Sequence, residues 1–110
     1  MVQQIIHKNI LYAIIVRSDF KKDGIEFFTP NEFSQQLGYM NRPNGYIIEP
    51  HVHLRTIREI SYTQEVLCIR SGKLRVDFYT AEMVYFASEI LIQGDILLLA
   101  YLLALARFFM

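Results

Sequence analysis

The sequence has no excess of either charge, a single cysteine and no apolar run of membrane-spanning length. Eleven Lys and Arg residues balance eleven Asp and Glu residues, so no net field attracts nucleic acid, and we expect no nucleic-acid partner. Cys68 has no second cysteine with which to form an intrachain disulfide, which favours a reducing compartment, the cytoplasm. The apolar run at residues 96–106 is shorter than the about 20 residues of a membrane-spanning helix, which excludes such a span.

The rest of the composition is that of one globular domain. At 110 residues the chain is the size of a single domain, residues 1–110, and is too short for an enzyme with a separate cofactor domain. Apolar residues make up 53% of the sequence, which is enough to fill a core and excludes a disordered chain.

Short strands separated by turn residues dominate the pattern. The run Ile10–Val16, the turn at Asp23-Gly24 and the apolar residues 25–28 predict a β-hairpin. Further strands are predicted at residues 46–53, 65–70, 74–79 and 83–92, the last followed by a turn at Gln93-Gly94-Asp95. This arrangement, with little room for a long helix, predicts an all-β sandwich or barrel.

Two histidines and a glutamate form a candidate metal site. His51 and His53 are two residues apart, so on a strand their imidazoles lie on one face, about 7 Å apart along the backbone. Glu65 has the parity of Leu67 and Ile69, which places its carboxylate on the interior side of its own strand. Two imidazoles and a carboxylate bind iron(II), manganese, nickel or zinc and leave coordination positions open for water or a small molecule.

These residues carry a resemblance to a known family. Gly45, five residues and then His51-Val52-His53, followed by Glu65, six residues and Gly72, resemble the first motif of the cupin superfamily. The resemblance implies an antiparallel jelly-roll barrel that holds a metal on two histidines, a glutamate and a later histidine. The eleven residues between His53 and Glu65 then form an enlarged loop, in which Glu59 is the competing carboxylate ligand.

The second cupin motif begins in this sequence and is then lost. Gly94 and Asp95 match its opening, but the positions expected to hold proline, glycine and the fourth ligand are Ala100, Leu102 and Leu105. The remaining histidine, His7, precedes the first predicted strand and is not a ready substitute. The resemblance therefore covers about residues 25–99.

The apolar tail, residues 96–110, has two interpretations. It is too rich in Leu and Ala for a jelly-roll strand, so we expect either a truncated or frame-shifted cupin that lacks its last strands, or a helical or strand-like cap used for dimerisation. An incomplete barrel leaves strand edges unpaired and the tail exposes apolar surface, which favours a homodimer.

Two function classes remain open from the sequence. The resemblance favours a metal-binding protein that binds or acts on a small molecule, since similar small cupins include sugar isomerases, epimerases and dioxygenases, and others act on nucleotide-sugars. The alternative is a non-catalytic or degenerate cupin, a binding or assembly module whose metal site no longer functions. Fold alone does not decide between them.

Overall fold

The structure is built from antiparallel strands. The computed structural model describes residues 1–51, 53, 64–100 and, as backbone, 104–109. All the strand pairs that it describes are antiparallel. No helix occurs in these ranges, and so none that is long and apolar enough to cross a membrane. The strands are β1 (Val2–His7), β2 (Ile10–Val16), β3 (Gly24–Phe27), β4 (Gly38–Asn41), β5 (Glu65–Cys68), β6 (Lys73–Tyr79), β7 (Tyr85–Ile92), β8 (Ile96–Leu99) and β9 (Ala104–Phe109).

The chain divides into two compact units. The first comprises Met1–Phe20 and Tyr62–Met110, and the second comprises Lys21–Ser61. The first unit contains a four-stranded sheet of order β1-β2-β8-β5 and a three-stranded sheet of order β7-β6-β9, whereas the second contains the two-stranded β3-β4 ribbon. The predicted all-β antiparallel class is thus confirmed, but no closed barrel or jelly roll is detected among the described strands.

The two sheets of the first unit pack around one hydrophobic core. In β6 the alternation predicted from the sequence is present, because Leu74, Val76 and Phe78 are almost completely buried. They join one cluster with residues of the four-stranded sheet, among them Ile15 and Leu97. The strands alternate because successive side chains point to opposite faces of a sheet, and one face of β6 meets the core.

The two central strands of the larger sheet are buried on both faces. Ile14 of β2 pairs with Leu98 of β8, and both side chains are buried although neither belongs to the core cluster. A strand buried on both faces has a continuous apolar run rather than alternation. Residues 96–99 of the apolar tail, which was predicted to be too rich in Leu and Ala for a jelly-roll strand, thus form the central strand β8, and this central position explains the richness in Leu.

Two local predictions in the amino-terminal half are also wrong. Strand β2 pairs with β1 and β8, and β3 pairs with β4, so the turn at Asp23-Gly24 does not close the predicted hairpin. The strand predicted at residues 46–53 is not formed in its described part, residues 46–51 and 53. There the chain leaves a turn at Pro43, Asn44 and Gly45, in which the Tyr46 N–H donates to the Pro43 carbonyl at 3.1 Å.

The β3-β4 ribbon is held by one close cross-strand contact and by its connecting loop. Phe27 pairs with Gly38, and a Cβ atom at Gly38 would lie 2.6 Å from the Phe27 ring, so the ring covers the glycine. In the loop the buried Thr29 hydroxyl donates to Gln36 Oε1 at 2.6 Å and accepts the Leu37 N–H at 3.1 Å. The loop then makes a single turn, in which the Phe33 N–H donates to the Pro30 carbonyl at 3.1 Å.

Candidate functional site

The predicted histidine pair is brought together in the second unit. His51 and His53 are both exposed, and their ring centroids are 5.0 Å apart with an interplanar angle of 71°. The pair follows the turn at Gly45, whose φ of +89° favours glycine. The two imidazoles therefore share one volume, as predicted, although they do so from an irregular segment rather than from a strand.

A backbone hydrogen bond sets the tautomer of one histidine. His51 Nδ1 lies 3.0 Å from the carbonyl oxygen of Glu49. Because a carbonyl only accepts, Nδ1 donates its proton in this contact, and in the neutral ring Nε2 then keeps its lone pair. A metal-binding histidine commonly donates its second ring nitrogen to a carbonyl in this way, which fixes the ring and its free nitrogen.

The distance between the rings suits two ligands of one ion. With metal–nitrogen bonds of about 2.0–2.1 Å, each ring centroid lies about 3.2 Å from the metal, so the centroids of two such rings are about 4.5–5.2 Å apart at octahedral to tetrahedral angles. The observed separation of 5.0 Å falls within this range. The separation of the two rings is therefore compatible with two imidazole ligands of one ion.

Glu65, the predicted third ligand, belongs to the first unit and begins the edge strand β5. It is exposed and pairs with Leu99, a residue of the core cluster. Cross-strand partners share a face of the sheet, so Glu65 is on the core-facing side, as its parity predicts. Its role as a ligand stays a prediction, and the competing Glu59 lies outside the described residues. Cys68, on the same strand, is exposed.

No complete ligand set is present in the part of the chain that the structure describes. No group of three or more His, Cys, Asp or Glu residues there is arranged to hold a metal ion. The remaining histidine, His7, ends β1 and stacks on Phe86 with ring centroids 4.4 Å apart, near Tyr12 at 6.5 Å. His7 is thus packed among aromatic rings.

A second polar cluster surrounds Arg17 at the end of β2. Its side chain donates to Gln3 Oε1 at 2.6 Å, to the Ile90 carbonyl at 2.6 Å, to Asp95 Oδ2 at 3.1 Å and to Glu89 Oε1 at 2.7 Å. Four of its five N–H groups are thereby used. These bonds connect β1, β2 and β7 to the turn before β8. Only one N–H group of the guanidinium is left for a ligand in the neighbouring cavity of about 460 Å³.

Asp95 is the buried anion of this cluster. Its carboxylate also accepts the N–H groups of Ser18 and Ile92, each at 2.8 Å. Burial by itself would raise the pKa of Asp95, but the hydrogen bonds from Ile92, Ser18 and Arg17 outweigh it and hold that pKa below its ordinary value. The Gly94-Asp95 pair, first noted as the opening of a cupin motif, therefore has a structural role here.

Sequence reasoning missed the Arg17 cluster, although two signals for it were present. Arg17 directly follows the buried run of β2, and Asp95 stands in a turn between two apolar strands. Opposite charges at the ends of two strands indicate an ion pair when those two strands are neighbours. The sequence alone did not show that β2 and β8 are neighbours. Comparisons with protein-family models, with curated proteins and with solved structures found no match to this chain.

Proposed function

We propose that this protein binds a divalent transition metal and, through it, a small molecule, as a cupin-type metal-binding protein in the cytoplasm. The observation that carries the proposal is the placement of His51 and His53, with ring centroids 5.0 Å apart and with Nδ1 of His51 bonded to the Glu49 carbonyl. Iron, manganese, nickel and zinc all accept two imidazoles. Glu65 is the third ligand in this proposal, as the cupin resemblance implies.

The proposed chemistry follows from the number of ligands. Three protein ligands leave coordination positions open for water and substrate, and the metal would act as a Lewis acid toward a bound carbonyl or diol. The protein's own contribution would be to hold the His51 ring through the contact of Nδ1 with the Glu49 carbonyl, which leaves Nε2 available as the ligand atom. A sugar or nucleotide-sugar derivative is the proposed ligand class, because related small cupins act on such molecules.

A non-catalytic cupin module is the second candidate function. It is favoured by Leu105 at the position of the fourth ligand and by the lack of a complete ligand set among the described residues. In that case the histidine pair is still present, but it binds no metal ion at ordinary metal concentrations. The two candidates differ in one measurable property, which is metal retention by the purified chain.

Metal retention after dialysis tests the proposal. The purified full chain is loaded in turn with zinc, nickel, manganese and iron(II), dialysed and subjected to elemental analysis. We expect about one ion per chain for at least one metal, and less than about a tenth of that for His51→Ala, because one imidazole is lost. His7→Phe, which keeps a ring next to Phe86, is the matched control and should retain the metal. Equal retention by the wild type and His51→Ala would refute the proposal.

A further inference from the structure

The outer face of the three-stranded sheet in the first unit carries polar and aromatic side chains. Arg75, Asp77 and Tyr79 of β6 alternate with the core residues of that strand, so they are on the face away from the core cluster. Asp77 is opposite Ser88 of β7. Tyr79 is opposite Tyr85. Because cross-strand partners share a face of the sheet, the five side chains are neighbours, and we call them the outer-face cluster.

A β-bulge in β7 brings Tyr85 into this cluster. The register shifts between Phe78 and Tyr79, and Phe86 of β7 is left without an opposite residue. Phe86 packs against the core cluster, whereas the ring of Tyr85 lies 6.0 Å from that of Tyr79, centroid to centroid, at an interplanar angle of 71°. Strict alternation along β7 would place Tyr85 on the core side. Bulges redirect side chains in this way and are common next to functional sites.

An ion pair holds the guanidinium of Arg75 at the centre of the cluster. Its Nε donates to Asp77 Oδ1 at 2.8 Å, and the exposed fractions of the two side chains are 43% and 9%. The pKa of Arg75 is raised, mainly by the hydrogen bond and the charge of Asp77 and to a smaller extent by Tyr85. The ion pair uses one of five N–H groups of Arg75. Among the described residues, no hydrogen bond engages Oδ2 of Asp77.

The two hydroxyl groups complete a mixed set of donors and acceptors. The Tyr85 hydroxyl donates to Ser88 Oγ at 3.1 Å, so the Ser88 hydroxyl keeps its own proton for another acceptor. A ligand would therefore meet one free carboxylate oxygen, the Nη groups of Arg75, one hydroxyl donor and two aromatic rings. Most of this set is polar, but the rings add apolar surface on which an uncharged ring can pack.

This set matches a sugar better than an anion. Each sugar hydroxyl both donates and accepts, so two neighbouring hydroxyls can donate to the Asp77 carboxylate and accept from Arg75 at the same time. The C–H surface of the sugar ring can lie against a tyrosine ring. An anion would gain the attraction of Arg75 but would also be repelled by the carboxylate beside it.

We propose that the outer-face cluster is a binding site for a neutral sugar. Arg75 and Asp77 bind two neighbouring hydroxyls, Ser88 donates to a third oxygen, and Tyr79 and Tyr85 contact the C–H face of the ring. The site uses residues of the first unit only and needs no metal ion, so it goes beyond the function proposed above. Because it lies on an open sheet face, we expect binding in the millimolar range.

Amide chemical shifts of the 15N-labelled full chain test this site. The probes are methyl glucoside, methyl galactoside and methyl mannoside, each titrated in the presence of EDTA. We expect saturable shifts at the amides of β6 and β7 with at least one of them. Arg75→Gln should weaken binding about tenfold and Ser88→Ala about two- to tenfold. Lys73→Gln removes a charge from the same strand and face, and is the matched control that should bind as the wild type does.

Inorganic phosphate is the competing probe, because Arg107 of β9 stands opposite Arg75 in register. We expect no saturable shift of the outer-face amides with phosphate at the glycoside concentration. Larger shifts with phosphate than with any glycoside would overturn the sugar site in favour of an anion site. The absence of saturable shifts with all three glycosides, or equal affinity in the wild type, Arg75→Gln and Ser88→Ala, would also overturn it. His51→Ala should bind the glycoside unchanged, so a failure of metal binding remains distinguishable.

Discussion

The two compact units differ in where they keep their apolar side chains. In the first unit the strands β2, β6 and β8 bury most of their large apolar residues between or within the sheets. In the described part of the second unit, Thr29 is the one buried residue, while isoleucines, a phenylalanine and a methionine are exposed. We infer that the first unit supplies the stability of the chain, and that the second presents the histidine pair.

The largest expected effect tests where the stability resides. Leu97→Ala should lower the free energy of unfolding by about 3–4 kcal/mol, because Leu97 is fully buried between β2 and β5 and its loss leaves a cavity. Ile25→Ala should cost less than about 1 kcal/mol, because Ile25 is already 42% exposed. Urea unfolding, at a concentration that keeps the chain monomeric, measures both. Equal losses would contradict the division of roles.

The next effect concerns the buried anion of the first unit. Asp95→Asn should lower stability by about 2–4 kcal/mol, because an amide replaces a carboxylate that accepts bonds from Arg17, Ser18 and Ile92. Asp19→Asn is the control: Asp19 is exposed and its one ion pair is with the terminal amine, so the loss should be below about 1 kcal/mol. A loss for Asp95→Asn as small as that of Asp19→Asn would contradict a structural role for the cluster.

The pH dependence of the free energy of unfolding is an independent test of the role of the Asp95 carboxylate. Its pKa is lowered in the folded protein, so its contribution is present above the unfolded pKa of about 3.9 and is lost as the pH falls through the folded pKa. The wild type should therefore lose more stability than Asp95→Asn when the pH is lowered from 6 toward the acid range. Parallel stability curves for the two proteins would show that the carboxylate is not held in this way.

The smallest effect compares one glycine from each unit. Gly94 and Gly24 have φ values of +90° and +102°, so alanine is strained at both, by about 1–2 kcal/mol. At Gly94 a Cβ atom would also lie 2.8 Å from Ser18 Cβ, whereas at Gly24 it would meet no atom within 4 Å. Gly94→Ala should therefore cost about 1 kcal/mol more than Gly24→Ala in thermal unfolding. A larger loss for Gly24→Ala would show that the turn before β8 is not tightly packed.

The sequence was most informative where local pattern and burial agree. Strand β6 and the turn at Gly94 were predictable, because a period of two and a glycine are properties of neighbouring residues. Strand β8 was misjudged because its run of Leu depends on a central position between β2 and β5, and that pairing is not encoded locally. Residues 46–51 were misassigned because β-branched residues favour a strand even where no partner strand is available.

The candidate site was predictable in its closest pair only. His51 and His53 are near each other because they are two residues apart, and this holds for an irregular backbone as well as for a strand. Glu65 is on the core-facing side of β5 as its parity requires, but its position relative to His53, from which eleven residues separate it, depends on tertiary arrangement. The exposure of Ile25 and Met40 in the β3-β4 ribbon gave no sequence signal, because exposed and buried apolar residues are indistinguishable in a short strand.

The most direct test of the account is a calorimetric titration of the full chain with zinc. We expect binding to the wild type with a stoichiometry of about one ion per chain, no measurable binding to His51→Ala or His53→Ala, and weaker binding to Glu65→Gln. Acidification should release the ion, because a protonated imidazole cannot bind it. Glu59→Gln should bind as the wild type does. An unchanged affinity in the double variant His51→Ala, His53→Ala would contradict the metal site altogether.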